Sequence, residues 1–321
     1  MSESPQTIDV VILCPGQGAQ VVGMGKKWHE ASAAARDIFA RADRALAGIL
    51  PRPLSALCFD GPAEVLNRTD VCQPALFACA IASHAGLVEQ GAGWTIRALA
   101  GLSLGEYTAL HLADVLSFED GLRLVAERGR LMQEAAERSR GGMVALIGAD
   151  EAQAAAICVR ARGGGVLVAA NLNAPGQIVL SGDADACARA AEVASEMGLR
   201  AAPLTVAGAF HSPLMAPAAE GLARYLSRLA FASSRTDVWS NVTACPHERE
   251  NGPQRTVEEL LKRRLVEQLV SPVRWSETCS ALVSKYQGPT IEFHELAPGT
   301  VLRGLMRRID RNTKVTSHDE P

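Results

Sequence analysis

The chain has 321 residues, 48% of them hydrophobic, and its 32 basic and 35 acidic side chains leave a net charge of −3. That length and apolar content suit one large α/β domain or a domain with an insertion. The charges are well mixed, with no basic stripe interleaved with aromatics, which argues against a nucleic-acid partner. No apolar run approaching about 18 residues is read, so neither a membrane span nor a secretory leader is expected. The eight cysteines form no C-x-x-C pair and the seven histidines no H-x-x-x-H pair, so buried reduced thiols, no metal site and a cytoplasmic protein are expected.

After a short polar lead, Ile8–Cys14 reads as a strand entering the turn Pro15-Gly16-Gln17-Gly18-Ala19-Gln20. A dinucleotide fingerprint would need its third glycine where Val21 stands, so that reading fails. The turn either joins strand to helix or presents a backbone N–H to a neighbouring site. Helical periodicity follows over 28–46 and 73–90. The apolar run 96–100 then meets Gly101-Leu102-Ser103-Leu104-Gly105-Glu106, a G-x-S-x-G pattern opening a helix. On one reading Ser103 is a nucleophile on a sharp turn, with a helix N-terminus offering N–H groups to an oxyanion. On the other it caps an ordinary helix. The five residues alone do not separate the two.

A helix over 119–138 carries Arg123, Arg128 and Arg130. Past an expected linker at Arg140-Gly141-Gly142, the pattern reads strand 143–149, helix 150–162, strands 166–171 and 177–181 across Asn173-Ala174-Pro175-Gly176, helix 183–197 and strand 199–206. That β-α-β-β-α-β order predicts a self-contained ferredoxin-like unit. It divides the chain into 1–140 plus 203–321, one α/β domain with a parallel-rich sheet, and an inserted subdomain at 141–202. Beyond it come helices over 218–229 and 257–269, strands over 237–242 and 290–296, and a tail at 312–321 expected to fray.

A nucleophilic serine needs a base. His211, in the small-residue loop Ala209-Phe210-His211-Ser212-Pro213, is the histidine selected. His29, His84 and His111 lie in predicted helices, His247 in a polar loop and His318 in the tail. His294, ending a strand, is the weaker alternative.

Seven tracts occur in the order found in malonyl-CoA:acyl carrier protein transacylases, and the chain resembles that family over about residues 8–308. They are Pro15 to Gln20, Gly101 to Glu106, Glu127-Arg128-Gly129, Asn171 to Gly176, Gly208 to Ser212, Gln268 to Trp275 and Ala297 to Leu302. The resemblance implies a hydrolase-like α/β domain carrying a ferredoxin-like insertion. It implies Ser103 as nucleophile and His211 as general base and acid, with oxyanion donors at the backbone N–H groups of Gln17 and Leu104. Arg128 is singled out only by the Glu-Arg-Gly match. It would bind the malonyl carboxylate, a task suited to a planar guanidinium, and Gln268 would line the same pocket. Phe210 resembles the bulky residue that crowds an α-methyl branch in malonyl-selective relatives. No acidic third member is read, and a main-chain carbonyl within 268–271 is expected to orient His211. Leu102 departs from the family, many of whose members place histidine there.

The implied substrates are malonyl-CoA and acyl carrier protein, with no cofactor and no membrane partner, for a protein expected to act as a monomer in fatty-acid synthesis. A related acyltransferase serving polyketide synthesis or malonate decarboxylation shares the chemistry. A serine esterase is the competing class, opposed by Arg128 and Phe210.

Overall fold

The computed structural model describes residues 7–247, 256–286, 288 and 290–321. Its centre is strand β1 (Ile8–Cys14), whose residues from Val10 onward are fully buried. Alternation along β1 serves two cores, because Val10, Ile12 and Cys14 face one apolar cluster while Val11 and Leu13 face another. A strand covered on both faces reads as a continuous apolar run, as this one does. β1 pairs in parallel with β2 (Trp94–Gly101) and, on its other side, with β8 (Ile291–Leu296). With β7 (Asp237–Trp239) and β9 (Val315–His318) they make a five-stranded parallel sheet in the order β7-β2-β1-β8-β9.

The other strands, β3 (Gly141–Ile147), β4 (Leu167–Ala174), β5 (Gln177–Asp183) and β6 (Arg200–Pro203), form an antiparallel sheet in the order β4-β5-β3-β6. Helices Glu151–Ala161 and Ala184–Glu196 pack on it around Leu146, Ile157, Leu180 and Ala190. This is the ferredoxin-like arrangement beside a parallel α/β sheet that the sequence predicts.

Several details differ from expectation. Gly141 and Gly142 are not a linker: they open β3, opposite Asp183 and Gly182. The small unit is not self-contained either, since Val273 bonds to Ala170 and Leu172 across a parallel bridge, and Met143, Ala170 and Val179 join the main core. The periodicity over 28–46 is split into Lys26–Ala31 and Ala33–Ala45, because Ser32 turns extended and its hydroxyl accepts from Ala35 N–H at 3.0 Å. The closing strand ends at Pro203, leaving 204–206 as loop. The tail does not fray: β9 pairs with β8, and Trp28 Nε1–H donates to the His318 carbonyl at 2.9 Å. Finally, helix Thr69–Glu89 is long and apolar enough for a membrane span, contrary to the sequence reading. Its most apolar window is 78% buried, because the helix runs through the core against Phe118–Arg138 and Ala33–Ala45.

Candidate active site

β2 ends at Gly101 and the helix Gly105–Leu112 begins four residues later, so the chain must reverse within three residues. Both flanking glycines are required: a Cβ on Gly101 would lie 1.8 Å from the Gly105 carbonyl carbon, and one on Gly105 would lie 2.1 Å from the Cys14 oxygen. At the apex Ser103 takes φ of 51°, the left-handed region that a residue with a Cβ avoids at a cost of about 1–3 kcal/mol. His211 is also left-handed, at φ 56°.

These two strained residues meet. Ser103 Oγ lies 2.8 Å from His211 Nε2, and His211 Nδ1 lies 2.8 Å from the Gln268 main-chain oxygen. The carbonyl can only accept, so Nδ1 carries the proton and Nε2 is left to accept from the serine hydroxyl. Burial, reinforced by the nearby Arg128 charge and opposed by the Gln268 carbonyl, lowers the His211 pKa to about 4. The imidazole is therefore neutral near pH 7 and available as a base.

Arg128 lies beneath the serine and is only 1% exposed. Nη2–H donates to Ser103 Oγ at 3.0 Å and to Gln268 Oε1 at 2.9 Å, while Nη1–H donates to Gln73 Oε1 at 2.7 Å. Its guanidinium carbon sits 5.1 Å from the Tyr107 ring centroid, and burial pulls its pKa below the usual arginine value. All three acceptors are neutral. No carboxylate contacts Arg128 directly among the described residues; the buried Glu106 charge reaches it only through Gln268, so a buried cation stands beside the Ser103 hydroxyl without a direct ion-pair partner.

Over Ser103 and His211 opens a cleft of about 700 Å³ whose lining includes Gln17, Leu102 and Phe210 together with Met143, Asn171 and Val179 from the antiparallel sheet. Gln17 arrives from the turn after β1, and Leu104 immediately precedes the helix Gly105–Leu112. Neither backbone N–H has a protein acceptor among the described residues, so both are available to an oxyanion. Arg128 and Gln268 lie behind the serine, not in the cleft wall, and Leu102 packs against the second core.

Three polar residues here escaped the sequence reading. Gln73 anchors Arg128. Glu106, fully buried, accepts from Gln268 Nε2–H at 2.7 Å and from Asn241 N–H at 3.0 Å, and lies 2.7 Å from His247 Nε2. Asn241 bonds the turn itself: its Oδ1 accepts from Ser103 N–H at 2.6 Å and its Nδ2–H donates to the Gly101 carbonyl at 2.7 Å. His247 thus belongs to a buried network and not to a polar loop surface. His294 is excluded as the base, since His318 and Glu292 occupy its two nitrogens at 2.8 and 3.1 Å.

The model of the acyl transferase domain family matches residues 11–314 of the chain. The chain belongs to this acyl transferase family. Among its relatives is the malonyl CoA-acyl carrier protein transacylase of Bacillus subtilis, 40% identical over 314 residues that cover 97% of this acyltransferase and 94% of the relative. The structure of the corresponding transacylase from Coxiella burnetii superposes with a TM-score of 0.89 at 35% identity, over 98% of this chain and 95% of that one. A malonyl-transacylase solved in complex with a type II polyketide acyl-carrier protein reaches 0.88 at 35% identity, over 98% and 96%.

Proposed function

We propose that this acyltransferase moves the malonyl group from malonyl-CoA to the phosphopantetheine thiol of acyl carrier protein, in the cytoplasm and in fatty-acid biosynthesis. The observation that carries the reading is the buried guanidinium of Arg128, 3.0 Å from the hydroxyl of Ser103 and with no carboxylate in direct contact among the described residues. A cation with no carboxylate in direct contact beside the serine favours an acyl group that brings its own carboxylate to it.

In this reading His211 Nε2 takes the Ser103 proton as Oγ attacks the thioester carbonyl. The N–H groups of Gln17 and Leu104 hold the tetrahedral oxyanion, and Arg128, turning from Ser103 Oγ, holds the malonate carboxylate with Gln268 beneath it. As the intermediate collapses, the carbon–sulfur bond breaks and imidazolium gives its proton to the departing thiolate. The carrier thiol then repeats the steps in reverse, freeing the serine. One thioester is exchanged for another through a serine ester, with a thiol leaving and a thiol entering, so the proposed steps call on no cofactor.

Phe210 sits beside the base at the cleft surface, where a methyl branch on the acyl group would meet it. All reacting groups come from one chain, which suits a monomer. The division into 1–140 with 203–321 and an inserted 141–202 places Ser103, His211 and Arg128 in the large part. A polyketide carrier as acceptor is the second reading, favoured by the likeness to the transacylase solved with such a carrier.

The test is incubation with malonyl-CoA and phosphopantetheinylated carrier protein. Malonyl-carrier is expected as the main product; free malonate and CoA as the main products would overturn transfer in favour of hydrolysis.

A further inference from the structure

The strained serine is held from outside its own turn. Asn241 follows β7 by two residues, and because β7 pairs in parallel with β2, the edge strand delivers this asparagine to the end of β2. Fully buried, it spends its polar groups locally. Oδ1 accepts from Ser103 N–H at 2.6 Å, Nδ2–H donates to the Gly101 carbonyl at 2.7 Å, the main-chain N–H donates to Glu106 Oε2 at 3.0 Å, and the main-chain oxygen accepts from Arg274 N–H at 2.9 Å. The amide's orientation follows from its partners, since a carbonyl cannot donate and an N–H cannot accept.

We propose that Asn241 is a positioning residue for acyl transfer, holding Ser103 in its left-handed conformation by clamping the peptide groups that precede it. A serine freed from the clamp relaxes toward negative φ, which swings Cβ and Oγ away from His211 Nε2. Among the described residues Asn241 makes no hydrogen bond to Ser103 Oγ, His211 or Arg128, so its effect falls on the rate of attack and spares acyl selectivity. The proposal rests on Ser103 being the nucleophile.

Asn241→Asp gives the sharpest test. The charged side chain keeps an acceptor for Ser103 N–H but sets an anionic oxygen against the Gly101 carbonyl, and protonation restores a donor there. Its charged and titratable neighbours are Glu106 on its N–H, His247 on Glu106 and Arg274 on its carbonyl. All three are common to the wild type, whose profile is the control. Misplacement of a reacting atom by about 1 Å costs about 10²-fold, so single-turnover acylation by malonyl-CoA should fall by about that factor near neutral pH. It should recover as pH falls toward about 5, where a buried carboxyl protonates, while the wild type stays flat.

Asn241→Ala should lose about as much at every pH, for malonyl-CoA and acetyl-CoA alike. A folded Asn241→Ala enzyme acylating within about threefold of wild type would overturn the clamp, as would an Asn241→Asp enzyme whose rate did not rise on acidification. Should the alanine variant fail to fold, the isosteric aspartate variant decides alone. Ser103→Ala run alongside separates the layers: labelling of that variant sinks the nucleophile assignment, whereas a dead Ser103→Ala beside fully active Asn241 variants sinks only the clamp.

Discussion

Two buried histidines stand in contrast, His211 in the loop after β6, beside Ser103 at the end of β2, and His294 on β8, each 4% exposed and each with its pKa lowered mainly by burial. His211 has a left-handed backbone, one nitrogen on a carbonyl and the other on a serine hydroxyl. His294 lies in a regular strand, stacks on His318 with ring centroids 5.1 Å apart, packs 4.5 Å from Trp94, and meets only His318 and Glu292 through its nitrogens. Burial and a low pKa are therefore shared. What separates the proposed base from a latch holding the C-terminal strand is the partner on each nitrogen and the Arg128 cation nearby.

The largest expected effect breaks the comparison if it fails. His211→Ala should slow acylation by malonyl-CoA about 10²–10⁴-fold with the fold intact, whereas His294→Ala should leave the acylation rate within about threefold of wild type. Equal losses in stopped-flow acylation would erase the distinction.

Next, Arg128→Ala should lower the malonyl-over-acetyl ratio of kcat/KM by about one to two powers of ten, the worth of a charge-assisted hydrogen bond of about 1.5–3 kcal/mol. An unchanged ratio would remove the carboxylate role. Phe210→Ser should act more weakly, raising methylmalonyl-CoA use relative to malonyl-CoA by about tenfold, the worth of roughly one methylene in a pocket. A ratio equal to wild type would place the methyl elsewhere.

The smallest effect is on pH dependence. His211 and His318 are both held at about 4, below the ordinary histidine value of about 6.5. As pH falls from about 6.5 toward about 4 the unfolded chain takes up these protons before the folded one, so stability is complete above that window and lost through it. Acylation, needing neutral His211, should stay flat from about pH 8 to about pH 5 and fall only near 4. His318→Gln should flatten the acid decline of Tm while leaving acylation unchanged. A steeper decline would mean that His318 stabilises the strand in its charged form.

The sequence made the proposed nucleophile visible because G-x-S-x-G imposes a backbone geometry that glycine alone permits, and β1 because its doubly covered residues from Val10 onward are all apolar. His211 was readable as a loop histidine, but the choice of Arg128 over Arg123 and Arg130 came from resemblance, since helical spacing left all three open. Gln73, Glu106 and Asn241 were hidden for a different reason. Asn241 reaches Ser103 across 138 residues and Arg128 reaches Gln73 across 55, so neither contact leaves a local pattern. The tail misled because β9 is short and polar, and its order comes from pairing with β8 and from the Trp28 bond to His318.

The central claim is that Ser103 accepts the malonyl group, and the most direct measurement is intact mass followed by peptide mapping after malonyl-CoA is added without acceptor. One added malonyl mass, mapped to Ser103 and discharged by carrier protein, is the expected result. An acyl group on any other residue, or a Ser103→Ala protein that still gains the mass, would contradict it.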